Sequence, residues 1–224
     1  MLKSGIDQAA LIDLFAQAGV KGGEQLRKGV AESTLAALQG RELTLKNIRG
    51  VLLSVTQAAS AGAMKNVMPG VDAQALLDNA VAGMDAALMK AVQANRAALQ
   101  QLVNQGADLR EKHLKKALAD LDKMEDTFIG ALTQATGTAG EQINKLWAPV
   151  LEKMRAGGTA SGAQAAQTAE QFIGQMHSAV RDSRAAGLRA AHALAESYAA
   201  LVSGVLIGMS DALGQGGQTK TGKK

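Results

Sequence analysis

Only two prolines, Pro69 and Pro149, interrupt a chain of 224 residues in which alanine fills about a fifth of the positions. Proline is the strongest helix breaker, and alanine, which loses almost no side-chain entropy on ordering, is the strongest helix former. Long helices are therefore permitted almost everywhere, and the chain reads as all-α. The core that such helices can build is thin. One Trp, one Tyr and three Phe are its only aromatic residues, and much of the 47% apolar fraction is small. A low buried area per residue makes many shallow contacts, or homo-oligomerisation, the expected source of stability.

Glycines, prolines and capping residues divide the chain. Residues 1–66 predict short helices over 6–18, 24–39 and 45–66, the first ended by Gly19 and the Gly22-Gly23 pair. Thr44 is placed to cap the third, whose Leu45, Ile48, Leu52, Val55, Ala59 and Gly62 recur at three- and four-residue steps. Pro69 marks a loop, and Asp72 can cap a helix that meets no further proline or glycine pair through residue 136. At about 1.5 Å per residue, such a helix would span on the order of 90 Å. A shorter helix follows over 139–156, with Ile143, Leu146, Val150 and Met154 on one face and Pro149 expected to kink it or restart it. Residues 157–162 (GGTASG) read as a flexible hinge that lets a second long helix, 163–213, fold back beside the first. The tail, 214–224, is glycine-rich and basic with nothing to bury, which predicts disorder. The expected architecture is one elongated antiparallel bundle over 1–213, with two very long amphipathic helices and several shorter ones.

An eleven-residue register runs along both long segments. Val81, Val92, Val103 and Leu114 keep it, as do Leu77, Leu88 and Leu99; Val180, Ala191, Val202 and Leu213 repeat it in the second segment. Eleven residues make almost three turns, so the apolar stripe drifts slowly and the helices can lie flat against a partner over a long distance. Such a stripe is either the core of a bundle or a face laid on lipid, on another apolar surface or on a second chain. The stretch 197–210 carries no charge, yet at fourteen residues it is shorter than the roughly 20 that span a bilayer as a helix, so no transmembrane span is expected. Within it and just beyond, Ala200, Gly204, Gly208 and Ala212 form a small-residue ridge suited to close helix contact.

Catalytic and ligand-binding chemistry finds little support. The chain has no cysteine, hence no disulfide, thiolate nucleophile or cysteine-held metal, a pattern that fits a reducing, cytoplasmic setting. His113, His177 and His192 belong to no zinc motif, and Asp120, Asp122, Glu125 and Asp126, interleaved with Lys123, lack the glycine and loop of a calcium site and read as a solvated helix face. There is no phosphate-binding loop and no nucleophile elbow. No cofactor, metal or catalytic residue is therefore assigned. Of the net charge of +4, Lys220, Lys223 and Lys224 supply three units, leaving a nearly neutral body without the basic face of a nucleic-acid binder.

Long alanine-rich helices, scarce aromatics, a Gly/Ser hinge and a short Lys-rich tail give the chain a composition that resembles the phasins, coat proteins of polyhydroxyalkanoate granules; its tail lacks the Ala-Lys-Pro repeats of the nucleoid-binding members. Residues 41–49 (RELTLKNIR) and 183–191 (SRAAGLRAA), on through Asp211, also resemble a bacterial all-helical family of unknown function. The phasin resemblance implies a coat or scaffold that lies on an apolar granule or lipid surface, or self-associates. Two other expectations remain: a soluble helical adaptor for a protein partner, and a membrane-remodelling protein with 197–210 as its inserting element.

Overall fold

A computed structural model of the chain describes residues 5–19, 22–39, 44–66, 69–105, 108 and 111–182, with the backbone alone at 113 and 177–182. The described chain is an all-α bundle, as its composition requires. Its elements are α1 (Gln8–Ala16), α2 (Gly23–Leu38), α3 (Leu45–Lys65), α4 (Ala73–Asn104), α5 (Lys112–Asp122), α6 (Met124–Gly137), α7 (Glu141–Gly157) and α8 (Ala160–Asp182).

The caps explain where helices begin. The Asp7 side chain accepts from the Ala10 N–H at 3.0 Å, the Thr44 hydroxyl from Asn47 N–H at 3.3 Å, and the Asp72 carboxylate from Gln74 N–H at 2.9 Å. Each satisfies a backbone donor that the first helical turn leaves without a partner. At the other end of α1, the Asn66 amide donates to the carbonyls of Phe15, at 2.7 Å, and Ala18, at 3.0 Å, so the end of α3 ties down the end of α1.

The single helix expected over 72–136 is three. α4 stops at Asn104, α5 starts at Lys112, and Lys123 closes α5 and opens α6. Burial accounts for the breaks. A continuous rod would leave its apolar side open, whereas folding back after Gln105, which precedes Gly106, buries Leu114, Leu118 and Leu121 of α5 and Phe128 and Leu132 of α6 in the same core as α4. Helix α7, in contrast, passes through Pro149 as one element, with Trp147, Val150 and Met154 buried on its inner side. Of the second long helix expected over 163–213, the described part is α8; the remainder, the ridge Ala200, Gly204, Gly208 and Ala212, and the tail lie outside the described residues.

Close approach substitutes for large side chains. α2 lies along α4 so tightly that a Cβ on Gly83 would stand 2.6 Å from the Arg27 carbonyl oxygen and 2.8 Å from Val30 Cβ. α1 crosses α3 at Gly62, where an added Cβ would stand 2.3 Å from Phe15 Cβ and 2.7 Å from the Ile12 carbonyl oxygen. The largest side chain, Trp147, is fully buried and donates its indole N–H to Ser60 Oγ at 2.9 Å, which in turn donates to the Thr56 carbonyl at 2.8 Å. This chain of hydrogen bonds fixes α7 against α3.

Gly83→Ala should therefore separate α2 from α4 and destabilise the bundle by about 1–3 kcal/mol, a cost typical of overpacking. The control Gly130→Ala, where an added Cβ meets nothing within 4 Å, should instead stabilise α6 by about 0.5–1 kcal/mol through helix propensity. Thermal unfolding followed by circular dichroism checks both; melting temperatures that move in the same direction would contradict the packing argument.

Candidate functional site

Two features of the bundle meet at one place: the apolar register of α4 and the beginning of α8. Leu77, Leu88, Val92 and Leu99 of α4 and Leu114 of α5 are all buried, at 4% exposure or less, and Val81 and Val103 pack half-buried against the same core. The structure thus brings these seven residues of the predicted stripe into one seam and covers it within a single chain. Val180 has no described side chain, and Val202 and Leu213 lie outside the described residues.

α8 packs on α4, α5 and α6, and its first turn is held by carboxylates from two of them. Asp85 of α4 accepts from two adjacent backbone N–H groups, Ala160 at 3.1 Å through Oδ2 and Ser161 at 2.9 Å through Oδ1. Glu125 of α6 accepts from Thr159 N–H at 2.7 Å through Oε1. The Thr159 hydroxyl accepts from Gly162 N–H at 3.0 Å and completes the cap. Four consecutive donors at the positive end of the helix are thereby satisfied, three of them by negative charge. Glycine is required at two points. Gly158 adopts φ +68°, and a Cβ on Gly162 would stand 2.8 Å from Glu125 Cβ and Cδ.

Residues 157–162, expected to form a flexible hinge, are thus anchored from Thr159 onward. Glu125, grouped by sequence with a solvated acidic face, is instead a capping residue for a helix 34 positions later. Composition could not reveal this, because a cap supplied from another element leaves no local spacing. The one available signal was Asp85, a carboxylate set among Ala82, Gly83, Ala86, Ala87 and Leu88 on an otherwise apolar stretch.

Behind the clasp, the buried side of α8 is made of small and hydroxyl side chains. Ser161, Ala165, Thr168 and Ala169 are buried at 1% exposure or less, and Phe172 is the one large apolar group among them. Two buried polar atoms on the facing helices, Asn95 Oδ1 of α4 and Gln164 Nε2 of α8, have no hydrogen-bond partner among the described residues. Ile173 is 36% exposed on the outer side.

Elsewhere, α6 and α7 enclose an open cleft of about 460 Å³ lined by Thr133, Asn144, Glu152 and Arg155, where Arg155 Nη2 donates to Thr133 Oγ1 at 3.2 Å. The guanidinium is engaged by a hydroxyl, and no nucleophile is paired with a base there. Among the described residues, no group of three or more His, Asp or Glu is placed to hold a metal, and no helix is long and apolar enough to cross a membrane.

A family model described as a family of unknown function, DUF6781, matches residues 1–215. No curated protein and no solved structure matches the chain.

Val92→Asp would place an unpaired charge at a fully buried point of the seam and should cost about 3 kcal/mol or more of stability. Ile173→Asp, on the outer side of α8, should stay within about 0.5 kcal/mol of the parent. Urea unfolding of the two variants separates a covered seam from an exposed one: equal, small effects would contradict the burial described above.

Proposed function

Taking as premise that this chain belongs to the DUF6781 family of unknown function, we propose that it is a non-catalytic coat or scaffold protein, phasin-like in manner, that lays its apolar seam on a granule or lipid surface or on a sister subunit. The observation that carries the reading is the cover of that seam. An eleven-residue register suited to lying flat on a surface is sealed on the α8 side mainly by serine, threonine and alanine. Removing such a cover exposes little new apolar area on α8 itself, whereas the seam it uncovers is valine and leucine. Binding of an amphipathic helix to an apolar surface grows with the apolar area it buries there. The alanine-rich, aromatic-poor composition that resembles the phasins points the same way.

A second reading, a helical adaptor that recognises a protein while its seam stays closed, is favoured by the complete burial of Leu88, Val92 and Leu99. Flotation with vesicles of phosphatidylcholine and phosphatidylglycerol distinguishes the two. The surface reading expects the parent chain to float. It also expects Val103→Asp, at a half-buried seam position, to reduce the floated fraction about tenfold or more while the circular dichroism in buffer stays helical. A parent chain that does not float, with helix content indifferent to the vesicles, would favour the adaptor. A Val103→Asp chain that floats like the parent would exclude the seam as the contact.

A further inference from the structure

We infer that α8 is a releasable lid over the seam of α4, latched in its closed position by Asp85 and Glu125. The inference deepens the surface-binding reading and rests on it only for what an uncovered seam would meet.

Three observations on different atoms converge. The first is where α8 is held. Its strongest ties are the charge-assisted hydrogen bonds at Thr159, Ala160 and Ser161, all within the first turn. Along the rest of its described buried side, Phe172 is the one fully buried large apolar group, with Met176 packed half-buried beyond it, whereas α3 buries Ile48, Val51, Leu52 and Val55 within two turns. Because helix attachment follows buried apolar area, α8 is held less firmly than α3 along its length and depends more on its end.

The second is what the closed state leaves unsatisfied. Asn95 Oδ1 on α4 and Gln164 Nε2 on α8, two helices that pack on each other, are both buried without a partner among the described residues. A buried polar atom that has lost water without gaining a partner costs stability, and release of α8 returns Gln164, on that helix, to water.

The third is what lies beneath. Asp85 marks the line on α4 that faces α8. At 3.6 residues per turn, Val92, Leu99 and Val103 follow it by two, four and five turns and fall on nearly the same azimuth. Opening α8 therefore uncovers the part of the register that includes Val92, Leu99 and Val103. The connection is short: Gly157 ends α7 with open space around it, and Gly158 sits at φ +68° immediately before the latched first turn of α8. Across that connection the two carboxylates hold the orientation in which α8 lies along α4.

Native-state hydrogen exchange on the full chain, without vesicles, tests the lid. Amides of residues 164–176 are expected to exchange at least about tenfold faster than those of residues 48–59 in the parent, through an opening that leaves α3 closed. In Asp85→Ala, the α8 rates should rise about another tenfold with α3 unchanged. Glu125→Gln, which keeps size and an acceptor, should give a smaller rise of the same kind. Exchange of α8 and α3 in step in the parent chain would overturn the lid even if Asp85→Ala fails to fold; so would variants that accelerate both helices equally. Flotation of Glu125→Gln with the same phosphatidylcholine and phosphatidylglycerol vesicles is the separate arm. Faster α8 exchange without increased flotation supports the lid and overturns the surface reading, while unchanged α8 exchange overturns the lid whatever the vesicles do.

Discussion

At Gly83 and Gly62, one helix backbone approaches another so closely that a single methyl group would not fit, and these contacts set the terms for the rest of the molecule. A bundle built from alanine has few large side chains with which to fill the space between helix axes. It buries apolar area by shortening the distance between axes, so that alanine and glycine on α4 rest directly on α2 and the sparse leucines and valines interdigitate nearby. The rod expected from the sequence breaks into α4, α5 and α6 for the same reason: only by folding back do Leu114, Leu118 and Leu121 come within reach of a partner.

Small side chains slide as well as pack. A ridge of alanines gives little preference for one register over another, so polar contacts at the ends and crossings of helices define the arrangement. Asn66 fixes the end of α1, the Trp147 to Ser60 hydrogen bond fixes α7 on α3, and Asp85 with Glu125 fixes the start of α8. The first two fasten α1, which also buries Leu11 and Phe15, and α7, which also buries Trp147, Val150, Leu151 and Met154. The third fastens a helix that has only Phe172 fully buried, with Met176 half-buried beside it, and this difference makes α8 the element whose position is most sensitive to its latch. The covered seam and the removable cover are two consequences of one composition.

Local chemistry was legible in the sequence and long-range chemistry was not. The all-α class follows from alanine and proline usage alone, and Thr44 and Asp72 could be placed as caps because a cap and its donor lie within three residues. The apolar register of Leu77 through Leu114 could be recognised as a stripe, but periodicity reports only that a face is apolar; whether another part of the same chain covers it depends on the turn after Gln105 and on α8 returning to α4. The clasp was invisible for a related reason. Asp85 and Glu125 reach backbone groups 75 and 34 residues away, and backbone donors carry no residue type by which to be noticed. Pro149 shows the converse, since the restart it allowed is absent and one helix continues through it with Trp147, Val150 and Met154 buried.

The seam of α4 is closed by the chain's own α8 and, on the inference above, opens when α8 leaves. Since the sequence holds no cysteine, Val92→Cys introduces a single thiol at a fully buried seam position with little change in volume. The rate at which a small disulfide reagent labels that thiol measures opening directly. Labelling is expected to be far slower than for an exposed thiol in buffer, and to accelerate markedly when Asp85→Ala is added. Labelling at the exposed-thiol rate in the parent background, or a rate that Asp85→Ala leaves unchanged, would contradict it.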